Sequence, residues 1–194
     1  MRVGLLRHGE VEGGNRFRGS TDDPLSRTGL SQMQAATAAT HWDRVISSPL
    51  QRCTEFADLY ARQNTLLYSL EPRLQEIHFG SWENRSAAEL MEETPEALTR
   101  FWHDPLTYTP PGGESLSHFQ ARVLEAWHEI LTAHAQQDVL IVTHGGVIRT
   151  LLCHILKRPL ASLLELRVEH GSLHLFLIDS AGTVIPDDET LPRL

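Results

Sequence analysis

RVGLLRHGE, at residues 2–10, joins a short apolar run to a polar loop. Residues 2–6 predict a buried β-strand, and His8 follows at the point where that strand ends. The run DVLIVT, at residues 138–143, has the same character and is followed by His144. A continuous apolar run of this length is typical of a strand buried on both faces of a parallel sheet. Ligands of such sheets bind beyond the carboxyl ends of the strands, so both histidines are candidates for a site.

Helices and strands are predicted to alternate along the rest of the chain. Helices are predicted from Ser26 to about His41, from Pro49 to about Arg62, from Ser115 to about His134 and over residues 147–156, with shorter pieces at 87–93 and 95–102. Further strands are predicted at 44–47, 166–168 and 173–179, and the residues from Ile185 onward are predicted to form a loose tail. The alternation predicts an α/β fold in a single domain over residues 1–194.

The composition restricts the classes of function. The 194 residues include 17 Lys and Arg against 25 Asp and Glu, a formal net charge of −8, and 41% of them are hydrophobic. These proportions are typical of a globular domain and exclude a disordered, collagenous or coiled-coil chain. A chain with an acidic surplus is unsuited to bind nucleic acid or a membrane surface. An anionic ligand would therefore need a local cluster of cations.

Cysteine content and hydropathy favour a cytoplasmic protein without membrane contact. Cys53 and Cys153 are too few for a disulfide framework, which favours a reducing compartment. The apolar run at the N-terminus is too short for a signal peptide, and no stretch approaches the roughly 20 apolar residues of a transmembrane helix. The spacings HExxH and CxxC do not occur, so we expect neither a metal nor a cofactor. Either a monomer or a homodimer is compatible with the acidic composition.

The residues around the two histidines favour an anion site. Adjacent side chains of a strand point to opposite faces, so Arg7 and His8 can share a pocket only if the chain leaves the strand there, which Gly9 permits. Gly145 has the same effect after His144 and begins a helix, whose N-terminus attracts anions. A single His-Gly pair at a strand end is usually only a turn. Two such pairs, one of them preceded by an arginine, favour a site.

Five segments, in this order along the chain, resemble a known family: LLRHGE (5–10), SSPLQRCTEFA (47–57), LQEIHFGSWE (74–83), PGGES (111–115) and IVTHGGVIR (141–149). The family is the histidine phosphatase superfamily, also called phosphoglycerate mutase-like. The resemblance implies a three-layer α/β/α sandwich around a mostly parallel central sheet. The middle segments and ASLLELRVEHGSLHLF (161–176) are most similar to the α-ribazole phosphatase branch, which removes a phosphate during cobalamin nucleotide-loop assembly.

The resemblance implies that a phosphoryl group passes first to His8 and then to water. A neutral imidazole nitrogen is an effective nucleophile near pH 7. Arg7, Arg52 and His144 match the family residues that bind the phosphoryl oxygens. Arginine suits this role because its planar fork can bind two oxygens at once.

Glu76 matches the family's proton donor. An alkoxide leaves poorly unless an acid protonates it while the bond breaks. Glu83, in the same segment, is the alternative, but the position of Glu76 before the aromatic-Gly pair fits the family pattern better. Glu114 in PGGES is expected to cap the helix that starts near Ser115.

The loop after His8 is expected to contact the substrate. The family usually has an asparagine six residues after the histidine; Gly14 stands there in this chain, and Asn15, which follows it, is expected to bind phosphate. Gly19 and Asp22 match the family loop that closes over the leaving group, and Gly145 is a further expected contact.

Two roles remain open for the aromatic residues of the middle segment. Trp82, Trp102, His78 and Phe79 are expected either to line the leaving-group pocket or to pack in the core. Cys53, beside Arg52, is expected to be an apolar filler of a packed helix and not a reactive thiol.

Three functions compete. The favoured one is a phosphomonoesterase acting on α-ribazole 5′-phosphate, with a broad-specificity sugar or nucleotide phosphatase as its nearest alternative. A phosphoglycerate mutase would need a lid that excludes water from the phosphohistidine, and this chain is short in the middle and at the C-terminus, where family mutases carry extra segments. An inactive phosphate-binding module is the alternative of another class. The retention of His8, Arg7, Arg52, Glu76 and His144 argues against it.

Overall fold

The computed structural model describes residues 1–191 and contains six strands in one sheet. The strands are β1 (Arg2–Arg7), β2 (Arg44–Ser47), β3 (Leu67–Leu70), β4 (Val139–Thr143), β5 (Leu173–Ile178) and β6 (Val184–Pro186). Their order across the sheet is β3-β2-β4-β1-β5-β6. The first four strands of that order are parallel, and β5 and β6 add an antiparallel edge. The predicted mostly parallel sheet is therefore confirmed.

Helices cover both faces of the sheet. They are α1 (Arg27–Thr37), α2 (Gln51–Asn64), α3 (Ala87–Glu93), α4 (Pro95–His103), α5 (Leu116–Ala133) and α6 (Gly145–Ile155), with short 3-10 helices at Pro72–Leu74, Gly80–Trp82 and Leu160–Glu165. Side chains of α5 and α6 form one core, and side chains of α1 and α2 form a second core across the sheet. This arrangement confirms the three-layer α/β/α sandwich. In the described part of the chain no helix is long and apolar enough to cross a bilayer.

The alternation of side chains in β4 explains why the fold needs three layers. Val139 and Ile141 belong to the core under α5 and α6, whereas Leu140 and Val142 belong to the core under α1 and α2. All four are completely buried. Because successive residues of a strand point to opposite faces, an unbroken apolar run is stable only if both faces are covered. Burial of each such side chain contributes about 1.5–3 kcal/mol.

The predicted strand at 166–168 is wrong. Its carbonyl groups accept hydrogen bonds from arginine side chains instead of a neighbouring strand. Leu166 accepts from Nε of Arg149 (2.8 Å), and Val168 accepts from Nη1 of Arg7 (2.6 Å). An apolar run predicts an extended backbone but not the partner of its hydrogen bonds, and here the partners are two guanidinium groups.

Three other boundaries differ from the predictions. Helix α1 ends at Thr37 and not near His41, and β3 had not been predicted because two of its four residues, Leu67 and Leu70, are exposed at the sheet edge. Strand β6 occupies part of the predicted loose tail, whose residues 192–194 lie outside the described residues. The assignment of residues 1–194 to a single domain stays a prediction.

Two glycines bring the loop after β1 against the first turn of α1. A Cβ atom at Gly9 would overlap the backbone of Gly29, and a Cβ atom at Gly29 would overlap the backbone of Glu10. The N-cap Ser26 accepts a hydrogen bond from the Gly29 N–H (3.0 Å), which fixes this turn of the helix. This close approach fixes the position of the residues that immediately follow His8.

Replacing Gly29 with alanine should destabilise the fold, because neither backbone can yield without moving the end of β1. We expect the Gly29→Ala substitution to lower the free energy of unfolding by about 1–3 kcal/mol in urea titrations. Ser31→Ala, on an exposed position of the same helix, is the matched control. Equal stability of the two variants would contradict the steric argument.

Candidate active site

His8 lies at the carboxyl end of β1 and is only 6% exposed. Its backbone N–H donates to the carbonyl oxygen of Thr143 (2.9 Å), which joins the ends of β1 and β4. Its Nδ1 lies 2.8 Å from the carbonyl oxygen of Gly9. A carbonyl oxygen can only accept, so Nδ1 carries the proton and Nε2 keeps its lone pair.

The imidazole of His8 is held in its neutral form. Burial is the main reason that its pKa lies well below the usual 6.5, and the positive charges of Arg7 and Arg52 lower the pKa further. A neutral imidazole with a free nitrogen is the form that can attack phosphorus.

Arg7 offers an unused hydrogen-bond donor beside His8. Its Nη1 donates to the carbonyl oxygen of Val168 (2.6 Å), and its Nη2 lies 2.9 Å from Nε2 of His170. Within residues 1–191, its buried Nε has no partner. Burial lowers the pKa of Arg7 to about 10, so it remains cationic at neutral pH. A buried donor without a partner is costly, and an anionic ligand would satisfy it.

Arg52 and His144 lie beneath His8, and both are completely buried. The ring centroids of His8 and His144 are 5.2 Å apart. Nε of Arg52 donates to Nδ1 of His144 (3.2 Å), so the proton of His144 lies on Nε2, which is 2.7 Å from Oγ of Ser48. Burial and then the charge of Arg52 hold the pKa of His144 well below 6.5. Both ring nitrogens are thus bonded within the protein, and a contact of His144 with phosphoryl oxygens stays a prediction.

The rest of the Arg52 guanidinium holds the loop after β1. Nη1 donates to the carbonyl oxygen of Thr21 (2.7 Å), and Nη2 donates to those of Gly19 (2.9 Å) and Arg18 (3.3 Å). The sequence predicts a phosphate-binding role for Arg52 but gives no sign of this second role. It follows that Arg52 links the loop to His144.

Glu83 holds the same loop by accepting hydrogen bonds from the backbone N–H groups of the loop. Its carboxylate accepts from the backbone of Gly19, Ser20 and Thr21 at 3.0–3.1 Å and from the hydroxyl of Thr21. Burial opposes ionisation, but these hydrogen bonds, with that of Thr21 foremost, give Glu83 a lowered pKa. An ionised carboxylate with so many donors is a poor proton donor, which argues against Glu83 as the alternative to Glu76.

Glu76 lies on the cavity wall, where its side chain contacts the N-terminus of α6. Its Oε2 accepts from the N–H of Gly146 (2.9 Å), and its Oε1 accepts from that of Ile77 (3.0 Å). Arg122 fixes the backbone of this segment by donating to the carbonyl oxygens of Gln75 (2.8 Å) and Glu76 (3.1 Å).

Glu114 supports this arrangement and does not cap α5 as predicted. Its two carboxylate oxygens accept from Nε and Nη2 of Arg122, each at 2.8 Å. The N-cap of α5 is Ser115, whose hydroxyl accepts from the N–H of His118 (3.3 Å). The role of Glu114 is therefore structural, but through a bidentate ion pair.

A cavity of about 450 Å³ brings most of these groups together. Arg7, His8, Glu76 and His170 form its inner wall, and the loop residues 14–18, including Asn15, form its rim. The exposed Asn15 is thus placed where the sequence predicts a phosphate contact, and that contact stays a prediction.

The other predicted contacts have partners within the protein. The N–H and the carbonyl group of Gly19 are bonded to Glu83 and Arg52, so its contact with a substrate stays a prediction. Asp22 accepts from the backbone N–H of Gln51 (2.6 Å) at the start of α2. A Cβ atom at Gly145 would lie 3.2 Å from Nε of Arg7, so this glycine leaves room for the guanidinium.

A second, mostly apolar cavity of about 200 Å³ adjoins the first and shares Glu76 with it. Its aromatic wall consists of Phe17, Phe79, Phe101, Trp102 and Phe119, and Arg149 is the one cation among its lining residues. Trp82 is instead packed in a core with Leu90 and Leu98, and His78 lines a different groove. Of the four residues with two open roles, Phe79 and Trp102 thus border this cavity.

Sequence reasoning missed two cavity-lining residues, His170 of the first cavity and Arg149 of the second. His170 belongs to the segment at 166–170 and contacts Arg7, and Arg149 donates a hydrogen bond to the same segment. A signal for His170 was present, because EHG at 169–171 repeats the His-Gly pair that follows the other two strands. Its place before β5, and not after a parallel strand, concealed it.

Metal and thiol chemistry find no support in residues 1–191. Within them no group of three or more His, Cys, Asp or Glu side chains is placed to hold a metal ion. Burial raises the pKa of the Cys53 thiol to about 12, so it stays protonated.

The titration of the buried histidines should show their environment. We expect the NMR midpoints of His8 and His144 to lie below 6.5, since burial and arginine charges disfavour the imidazolium. The unfolded chain then binds more protons than the folded one below that pH. The free energy of unfolding should therefore fall as the pH drops below 6.5, by up to about 1.4 kcal/mol per pH unit for each such histidine. A midpoint of His8 above 6.5 would contradict this description of the site.

Known proteins are similar to this chain in sequence and architecture. The model of the histidine phosphatase superfamily (branch 1) matches residues 3–187. The adenosylcobalamin/alpha-ribazole phosphatase of Salmonella typhimurium is 34% identical over 177 residues, which cover 88% of this chain and 87% of that protein. The glucosyl-3-phosphoglycerate phosphatase of Mycobacterium tuberculosis is 29% identical over 174 residues, covering 83% and 78%. The crystal structure of the alpha-ribazole phosphatase from Shigella flexneri superposes with a TM-score of 0.84 at 28% identity, covering 100% of this chain and 99% of that one.

These matches confirm the resemblance predicted from the five sequence segments, including the similarity to α-ribazole phosphatases. The relatives named here are phosphatases, which makes the chain a hydrolase of phosphoric monoesters. The family match extends from β1 to just past the end of β6. The chain belongs to branch 1 of the histidine phosphatase superfamily.

Proposed function

We propose that the protein hydrolyses phosphate monoesters through a phosphohistidine at His8 and that its substrate is α-ribazole 5′-phosphate. One observation carries the proposal: His8, neutral and with its Nε2 free, borders the same cavity as Arg7, whose buried Nε has no partner within residues 1–191. A nucleophile and an unused cationic donor at the same cavity are what phosphoryl transfer requires.

The first step transfers the phosphoryl group. The lone pair of His8 Nε2 forms a bond to phosphorus while the bond from phosphorus to the ester oxygen breaks. Glu76, in its protonated form, gives its proton to that oxygen, so the alcohol leaves neutral. Arg7 from the wall and Arg52 from beneath stabilise the charge on the equatorial oxygens.

The second step regenerates the enzyme. A water oxygen bonds to phosphorus, the bond from phosphorus to nitrogen breaks, and the electron pair returns to Nε2 of His8. The carboxylate of Glu76 takes the proton of that water and is ready for another cycle. The exposed residues Gly14 and Asn15 at the cavity rim leave water a route to the phosphohistidine, which favours hydrolysis over a mutase reaction.

The apolar cavity supports an aromatic leaving group. α-Ribazole carries a planar benzimidazole base, and a base stacked on an aromatic side chain gains about 1–3 kcal/mol. Phe79 and Trp102 border the cavity that begins at Glu76, where the leaving group would depart. A glucosyl-glycerate leaving group is polar and anionic, and only Arg149 would suit it there. Sugar phosphates and nucleotides remain the alternative substrates.

We infer a cytoplasmic location from the two cysteines, Cys53 and Cys153, which are both free. The net charge of −8 supports a small phosphate ester as the partner in preference to nucleic acid. The choice between monomer and homodimer stays a prediction.

The nucleophile is tested by His8→Ala, which should abolish turnover of p-nitrophenyl phosphate because no other group accepts the phosphoryl group. Rapid acid-free quenching with labelled substrate should detect a phosphohistidine in the unmodified enzyme and none in the variant. Near-normal turnover by His8→Ala would overturn the mechanism, whereas a lack of turnover by the unmodified protein would favour an inactive phosphate-binding module.

The proton donor is tested by Glu76→Gln. We expect kcat on alkyl phosphates to fall by about 10²–10⁴-fold, since their leaving groups need a proton, whereas p-nitrophenyl phosphate should lose much less. Glu92→Gln, an exposed position on α3, is the matched control. Equal losses on both classes of substrate would assign the proton transfer to another residue.

The leaving-group cavity is tested by Trp102→Ala. The value of kcat/KM on α-ribazole 5′-phosphate should fall about tenfold, because one stacking surface is lost, while glycerol phosphate is barely affected. Met91→Ala removes another exposed apolar side chain that lies outside the cavity and is the matched control. A preference of the unmodified enzyme for glucosyl-3-phosphoglycerate, sugar phosphates or nucleotides would contradict the proposed substrate.

A further inference from the structure

A third histidine faces the nucleophile from the segment that precedes β5. The imidazole of His170 borders the same cavity as His8, and the two ring centroids are 5.5 Å apart. The backbone N–H of Gly171 donates to the carbonyl oxygen of His8 (3.2 Å), so the two stretches of chain are tied together. Neither step of the proposed phosphoryl transfer uses this residue.

The contact between His170 and Arg7 has only one chemical interpretation. Nη2 of Arg7 lies 2.9 Å from Nε2 of His170, and a guanidinium group can only donate. Nε2 of His170 must therefore accept, and its proton must lie on Nδ1. Burial and then the charge of Arg7 lower the pKa of His170 to about 4, which keeps the ring neutral although Glu10 and Glu169 oppose this effect.

Two contacts from one segment orient the guanidinium of Arg7. Val168 accepts from Nη1 and His170 accepts from Nη2, and the two residues are only two positions apart. Because the guanidinium is planar and rigid, two fixed N–H groups also fix the direction of Nε. That Nε is the buried donor left without a partner in the described part of the chain.

We propose that His170 is a positioning residue for Arg7: it holds the guanidinium so that its free N–H groups meet the phosphoryl group at His8. The inference rests on the proposed function, in which Arg7 stabilises the charge of the transferred group. His170 acts through Arg7, so its loss should affect the transition state more than substrate binding.

Three substitutions separate the two nitrogens of His170. The amide oxygen of His170→Gln can occupy the place of Nε2, the amide of His170→Asn reaches only the place of Nδ1, and His170→Leu supplies neither. We expect kcat to fall about 10–100-fold in His170→Leu and His170→Asn, as misplaced catalytic groups do, with little change in KM. His170→Gln should recover most of the loss.

Vanadate affinity provides a second measurement that does not depend on turnover. Vanadate imitates the transferred phosphoryl group, so its Kd, measured by calorimetry, should rise in His170→Leu and be restored in His170→Gln. The same series in a His8→Ala background reads the orientation of Arg7 even if His8 is not the nucleophile. The two proposals can therefore fail separately.

The controls define the outcomes that overturn the proposal. His128→Leu, at an exposed position of α5, should leave kcat, vanadate affinity and melting temperature unchanged. If kcat and vanadate affinity of His170→Leu equalled those of the unmodified enzyme, Arg7 would need no such support. Recovery by Asn but not by Gln would assign the task to Nδ1, and equal losses in all three variants would show a role in packing only; both results overturn the proposal.

Discussion

The parallel pairing of β1 with β4 is the constraint on which the rest of the molecule depends. Arg7 lies opposite Thr143 in that pairing, so the residues that follow the two strands, His8 and His144, must lie side by side. The pairing exists because both strands are apolar on both faces and sit between two cores. The energy that brings the two imidazoles together is thus supplied by aliphatic side chains that never touch a substrate.

How far the sequence predicts this molecule depends on where each element takes its hydrogen bonds. The runs that became β4 and α5 carry their own pattern and were predicted closely. Strands β3 and β6 are short edge strands that form by pairing with the neighbouring strand of the sheet, and their sequences carry no periodic pattern that predicts them. The wrong strand at 166–168 is apolar enough for a sheet, yet its carbonyl groups bind Arg7 and Arg149. Side-chain donors of this kind leave no trace in local periodicity.

The same distinction holds for the site. Motif order placed His8, Arg7 and Glu76 at one cavity, and the structure brings them there. The spacing of residues in the sequence could not reveal that Arg52 and His144 are buried beneath this cavity. It also could not reveal that the Glu83 carboxylate binds the backbone of the loop after β1. The partners of the arginines explain these differences: Arg7 and Arg52 bond to carbonyl groups and histidine nitrogens of the protein, and those partners decide which groups stay free for a ligand.

The dual attachment of Arg52 has a consequence for how its variants must be interpreted. One guanidinium binds the carbonyl groups of Arg18, Gly19 and Thr21 and also contacts His144, while Glu83 binds N–H groups of the same loop. A kinetic deficit caused by altering Arg52 therefore mixes loop disorder with lost anion stabilisation. A double-mutant cycle with Glu83 separates the two, because only the first component is shared between the partners.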